Sequence, residues 1–205
     1  MTHARVLADR ILPGEGVAWD ALRVVAGSLL VALCAQISLP LPWSPVPFTG
    51  QTFGVLFVAV LLGPRRALLA MMLYLLEGAA GLPVFQKFGL PGALRLLGPT
   101  AGYLWMYPLA AFVTGWFAEK ISAESMKTKL QLGGAVLLGH ALILLGGWAW
   151  LAAMPHLQTD FSLGTLGWSR AFAVGVAPFL ADAVLKTVLV LGAARGAERV
   201  RAQAG

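Results

Sequence analysis

Apolar residues fill this chain in long blocks, and short stretches between them hold most of its charges and prolines. From Val24 to Leu41 it reads VVAGSLLVALCAQISLPL without a charge. A helix rises 1.5 Å per residue, so about 20 such residues cross the roughly 30 Å hydrocarbon layer of a bilayer. PLPWSPVPFTG then interrupts the helix with Pro42, Pro45 and Pro47. QTFGVLFVAVLL, 51–62, is short for a span; GPRR, 63–66, reads as a sharp polar turn; and ALLAMMLYLLEGAAGL, 67–82, predicts a third span with Glu77 in its last third.

The breaker-rich PVFQKFGLPGALRLLG, 83–98, reads as a loop or re-entrant segment. A fourth span is predicted at 99–118, where Pro99 and Thr100 suit a helix start and Pro108 is expected to bend the helix. The charged EKISAESMKTKL leads to a fifth span at 130–154, and the polar PHLQTDFSLGTLGWS leads to a sixth from about Arg170 to Ala194. Six spans put both ends on one side. Arg5, Arg10, Arg23, Arg65, Arg66, Lys120, Lys127, Lys129, Arg195, Arg199 and Arg201 fall at that side, against Lys87, Arg95 and Arg170 opposite. Positive connections stay in the cytoplasm. The expected fold is an all-α membrane protein with six transmembrane helices and both termini cytoplasmic. It forms a single membrane domain over 1–205, with a short polar N-terminal segment at about 1–18 and a basic tail at about 195–205.

Composition agrees with a membrane protein: 59% of the residues are hydrophobic and 12% charged, about half the charged fraction usual in soluble domains. The net charge of +6 is dispersed between apolar runs, so it builds no stripe for nucleic acid. Cys34, the single cysteine, excludes an internal disulfide. No apolar core of signal-peptide length precedes Pro13. There is no HExxH, P-loop, nucleophile elbow or dinucleotide fingerprint, so powered transport would need ATP hydrolysis on another chain.

The polar residues inside apolar runs remain to be explained. Asp182 and Lys186, one turn apart in PFLADAVLK, fit either a structural intramembrane ion pair or a ligand site. Ser28 and Ala32 share a helix face, suited to internal packing or to docking on another membrane protein. His140 reads as a hydrogen-bonded core histidine, because no second metal ligand lies at suitable spacing. Gln51 fits a helix cap or a ligand donor. Trp43, Phe48, Phe85, Phe88, Tyr103, Trp105 and Trp168 fit an interfacial belt or the wall of an outward-facing pocket.

VPFTGQTF at 46–53, LLGPRRALLAMMLYLLEGAAGLPVF at 61–85, LLGPTAGYL at 96–104 and PFLADAVLK at 178–186 together resemble the BioY family of biotin transporters, the substrate-capture components of energy-coupling factor transporters. The resemblance extends over about residues 21–192. It implies six transmembrane helices in the bacterial cytoplasmic membrane, high-affinity binding of biotin as transported ligand, and no cofactor or ATPase in this subunit. It also implies an energy-coupling transmembrane subunit and two cytoplasmic ATPases as partners, with Ser28 and Ala32 at that interface. Gln51, Gly98, Tyr103, Asp182 and Lys186 become candidate pocket residues, with Trp43, Phe48, Phe85 and Gln86 as further lining positions. The ureido ring of biotin needs acceptors for two N–H groups and a donor for its C=O, and its carboxylate needs a cation or several donors. Asp182 is the expected N–H acceptor; Lys186 meets the carboxylate or organises Asp182.

Two departures from the family pattern stand out. Many relatives read PFLPGDLxK, with the acid three residues before the lysine, whereas Asp182 stands four before Lys186 and Ala183 takes the usual acid position. After GLPVF the chain reads QKF where small residues are usual. The competing functional classes are an intramembrane enzyme and a structural membrane scaffold without biotin specificity.

Overall fold

The structure, a computed structural model, describes residues 14–121, 126–153 and 166–204. Expectations for most of the N-terminal segment, for 122–125 and for the connection at 154–165, with Arg5 and Arg10, lie outside the described residues.

Helix α1 spans Val17–Gln36 and ends where Ile37 adopts extended backbone. The first predicted span therefore loses its last residues: Ser38–Leu41 is strand β1 and Ser44–Thr49 is strand β2. The two pair antiparallel, with Ser38 opposite Thr49 and Leu39 opposite Phe48, and an irregularity between Leu39 and Leu41. The prolines that stop the helix are tolerated here because a two-stranded ribbon has only edges, where a missing N–H need not leave an acceptor unpaired. This hairpin is the one β element among the described residues of a molecule that is otherwise helical.

Helix α2 covers Gln51–Ala79, but Gly63 breaks its helical backbone with φ 74° and ψ −178°. The chain reverses there. A straight helix would separate residues 51 and 74 by about 34 Å, yet Gln51 Nε2 donates to the Tyr74 hydroxyl at 2.6 Å. Likewise, a Cβ at Gly27 would lie 3.1 Å from side-chain atoms of both Val58 and Ala70. The predicted GPRR turn is thus a tight reversal, made possible by the left-handed backbone that glycine adopts freely.

A 3-10 helix at Gly92–Leu97 leads into helix α3, Ala101–Lys120, which passes through Pro108 as one helix. Helix α4 spans Met126–Ala153. The predicted sixth span is broken: α5, Gly167–Gly175, and α6, Phe179–Ala204, meet at an angle of 40° beside Pro178. The tail expected from 195 continues as helix to Ala204.

Burial is arranged for a lipid surround. Helix α6 exposes Leu180, Val184, Leu185 and Val188 at 51–61% while burying Lys186 at 9% and Thr187 at 5%. Helix α1 does the same, exposing Leu29 and Leu33 and burying Arg23 and Ser28. Water would reverse this preference; hydrocarbon enforces it, because ionisable groups inside a bilayer face the bundle interior. By length and composition, α1, α2 and α4 are apolar enough to cross a membrane, and the α5–α6 pair makes a fourth such element if taken as one span. This is a multi-pass helical membrane architecture.

One end of the bundle gathers charge. Arg23 and Arg66 both reach Asp20 Oδ1, at 3.0 and 2.7 Å, which ties the start of α1 to the reversal in α2. The other end carries the hairpin, the 3-10 helix and the α5–α6 break, and it is there that the chain encloses a cavity.

Candidate functional site

The cavity has about 650 Å³ of non-atom space, part of it open to the surroundings at the mouth. Its walls come from β2, the start of α2, the connection after α2 with its 3-10 helix, the start of α3, the middle of α4 and the start of α6. It contains both an acid and two cations.

Asp182 and Lys186 form the polar wall from α6. Lys186 Nζ donates to Asp182 Oδ2 at 2.6 Å, to the Thr49 carbonyl at 2.6 Å and to the Thr52 hydroxyl at 3.0 Å. An ammonium has three protons, so these bonds commit all of them. They also satisfy a charge that would otherwise be costly to bury. Lys186 accordingly organises Asp182 and joins α6 to the start of α2. Asp182 Oδ2 receives Lys186, and Oδ1 remains for another donor. The four-residue spacing, unusual for the motif, is the spacing that lets this pair meet on one helix face.

Gln51, Tyr103, Phe85 and Gln86 also line the cavity. Gln51 sits between Tyr74, to which it donates, and Thr49, whose hydroxyl donates to Gln51 Oε1 at 3.2 Å. The Gln51 side chain thus bonds other side chains, while the Thr49 hydroxyl accepts the Gln51 N–H at 3.4 Å at the helix start. The Tyr103 hydroxyl donates to the Gly175 carbonyl at 2.7 Å and pins the α5–α6 break against α3. Phe85 packs edge-on against Tyr74, with centroids 5.4 Å apart.

Other expected residues lie elsewhere. The Gly98 carbonyl accepts the Trp150 indole N–H at 2.9 Å, outside the cavity lining. Trp43 is 63% exposed at the hairpin turn. Phe48 packs on Phe179 at 4.9 Å between centroids and borders a neighbouring, mostly apolar groove that shares Thr49, Asp182 and Lys186 with the cavity. Ser28 and Ala32, expected at a partner interface, point inward. Ser28 is fully buried and donates to the Glu77 carboxylate, while Ala32 is 9% exposed, so both face this chain's own bundle. Their small size permits close packing of α1 on α2, and the bond to Ser28 gives Glu77 a partner inside the apolar layer.

Three features escaped the sequence reading. Arg95, 5% exposed, lines the cavity from the 3-10 helix, with its guanidinium donating to the Gln86 carbonyl at 3.0 Å and to the Phe88 carbonyl. Its Nε is buried without a partner, and burial pulls its pKa below the ordinary arginine value, opposed by Tyr74. Tyr107 adds a phenol to the cavity wall from α3. His140, expected as a satisfied core histidine, instead lines the cavity with its Nε2 unpartnered. Arg95 offered one signal, as a basic residue at a largely uncharged end; His140 and Tyr107 offered none beyond being polar in an apolar run.

The cavity can therefore hold an N–H donor at Asp182, an anion at Arg95 and an apolar body between Phe85, Phe179, Ile143 and Leu144.

The BioY family model matches residues 7–203. A biotin transporter from Thermotoga maritima is 50% identical over 160 residues, covering 78% of this chain and 84% of the relative. A probable biotin transporter from Pyrococcus horikoshii is 34% identical over 157 residues, covering 77% and 82%. Among solved structures, the S-component for biotin from an ECF-type ABC transporter superposes with a TM-score of 0.72 at 20% identity, covering 89% of this chain and 92% of that one. That likeness shows a shared fold.

Proposed function

The chain belongs to the BioY family, and we propose from this and from its cavity that it captures biotin for uptake across the cytoplasmic membrane. The role is non-catalytic: a substrate-binding transport subunit whose ligand leaves chemically unchanged. The observation that carries the proposal is the division of charge in the cavity, with an available carboxylate oxygen on one wall and a buried guanidinium on another.

Biotin has matching parts. Its ureido N–H groups need an acceptor, which Asp182 supplies. Its carboxylate needs a cation, and because Lys186 is already committed, Arg95 takes that role. Its fused rings and tail are apolar and suit the walls. Gln51, Tyr103, Phe85 and Gln86 contribute lining, with Gln51 and Tyr103 acting mainly through the hydrogen bonds that fix the wall. Gly98, Trp43 and Phe48 act outside direct contact.

The reversal at Gly63 supports counting the two limbs of α2 separately, which with α1, α3, α4 and the α5–α6 pair gives six crossings. The distribution of Arg and Lys supports cytoplasmic termini and an outward-facing cavity in a single membrane domain. An energy-coupling membrane subunit and two ATPases are the partners this reading requires. The exposed α1 face at Leu22, Val25, Leu29 and Leu33 is a better candidate contact than buried Ser28 and Ala32.

Purified protein in nanodiscs, titrated with biotin by calorimetry, should bind one equivalent saturably, while biotin methyl ester should bind at least about tenfold more weakly, the equivalent of about 1.4 kcal/mol. Absence of saturable biotin binding by folded protein overturns the specificity. Equal affinity for the ester overturns the role of Arg95 alone.

A further inference from the structure

His140 stands on α4 at the cavity wall, 3% exposed, and its Nε2 has no hydrogen-bond partner among the described residues. Leaving such a group unsatisfied is costly, so buried polar atoms without partners are rare and call for an explanation. At the wall of a ligand cavity the explanation is direct: the partner is a group of the ligand.

The neighbouring groups indicate which part of the ligand it meets. His140 and Lys186 line the same cavity, from α4 and α6. Ureido N–H groups that donate to Asp182 place the ureido oxygen in the same region, where it needs a donor. Lys186 would be the obvious one, but its three protons go to Thr49, Thr52 and Asp182. Tyr103 donates to Gly175 and Thr49 donates to Gln51. Imidazole carries an N–H at Nε2 in the Nε2-protonated neutral tautomer and in the charged form, so His140 can donate from the atom that lacks a partner.

We propose that His140 is a specificity-determining ligand contact, its ring N–H donating to the ureido oxygen of biotin. This rests on biotin being the ligand and goes beyond the acid–lysine motif, since α4 then reads the ligand head together with α6. The same placement selects for a carbonyl acceptor and against a ring that presents a donor at that position.

The test pairs His140→Leu, His140→Phe and His140→Gln with biotin and with 2-iminobiotin, whose guanidinium replaces the ureido oxygen by an N–H donor. Affinities are measured by calorimetry in nanodiscs at neutral pH, and thermal unfolding of each variant is recorded alongside. Both apolar variants should bind biotin about tenfold or more weakly, the loss of one buried hydrogen bond. His140→Gln, which keeps an N–H donor, should recover most of that affinity. The ratio of biotin to 2-iminobiotin affinity should fall in both apolar variants. Wild-type affinity for biotin in a folded apolar variant overturns the inference, and so does an equal loss for both ligands, which marks a packing role. Failure of the wild-type protein to bind biotin removes the premise and is read separately.

Discussion

Lys186 has three protons to donate and the fold accepts all of them, so its influence on a ligand passes through Asp182. Asp182→Ala should weaken biotin binding by about ten- to a hundredfold, the worth of a hydrogen bond to a charged acceptor. It should also destabilise the protein, because removing one member of a buried pair costs about 3–5 kcal/mol by stranding the other charge. Adding Lys186→Met to Asp182→Ala should recover thermal stability without restoring affinity. Calorimetry and melting curves on both variants separate the two effects, and a double variant that binds markedly more weakly than Asp182→Ala would show that the lysine touches the ligand itself. The pair was legible in the sequence because two charges one turn apart in an apolar run are a local signal. Arg95, Tyr107 and His140 were not, since what makes them cavity residues is the approach of elements far away in the chain. Trp43, Phe48 and Gly98 lie outside the cavity lining for the complementary reason: aromatic and glycine positions near a mouth serve packing as readily as contact.

The helices were read correctly as apolar runs, and the errors concentrate where proline or glycine decides the path. A proline-rich stretch excludes helix, but periodicity could not say that SLPLPWSPVPFT would pair with itself, since it lacks the Asn-Gly type of turn that marks a hairpin. That hairpin is fastened to the α5–α6 break by the Ser44 hydroxyl, which donates to the Val174 carbonyl at 2.7 Å. It forms part of the cavity wall through Val46, Pro47 and Thr49. Ser44→Ala should therefore speed biotin release several-fold, about what one neutral hydrogen bond is worth, and leave the association rate nearly unchanged. Stopped-flow measurement of both rates checks this; a change confined to association would assign the hairpin to entry instead. The reversal in α2 makes a second demand. A Cβ on Gly115 would lie 2.7 Å from the Gly63 carbonyl carbon and 2.8 Å from the Pro64 nitrogen, backbone atoms that cannot swing aside. Gly115→Leu should lower the melting temperature strongly, with an overpacking cost of about 1–3 kcal/mol or more, whereas Gly134→Leu, where a Cβ meets nothing within 4 Å, should not. Equal melting temperatures would mean that α3 does not pack against the reversal.

At the scale of the whole molecule, sequence and structure bear on one question from different directions: which end of the bundle faces out. The sequence supplies a charge count and the structure supplies proximity, since Arg23 and Arg66 meet at Asp20 while the cavity lies at the opposite end. Neither sees a bilayer, but each constrains the other. An outward cavity requires the reversal at 63–66 to be cytoplasmic, and the charge rule independently places those arginines there. Substituting Cys34, buried and the single cysteine, by Ala gives a background for labelling. In that background Arg65→Cys at the exposed reversal and Leu94→Cys, 55% exposed on the 3-10 helix, report on the two ends. A membrane-impermeant maleimide should label position 94 in right-side-out vesicles and position 65 in inside-out vesicles. Excess biotin should leave position 65 unaffected and slow labelling at position 94 only as far as ligand orders the connection that carries Arg95. The reverse labelling pattern would place the cavity toward the cytoplasm and make capture from outside untenable. Labelling of both positions from one side would mean that the two limbs of α2 do not cross separately, and the chain would then have fewer than six spans.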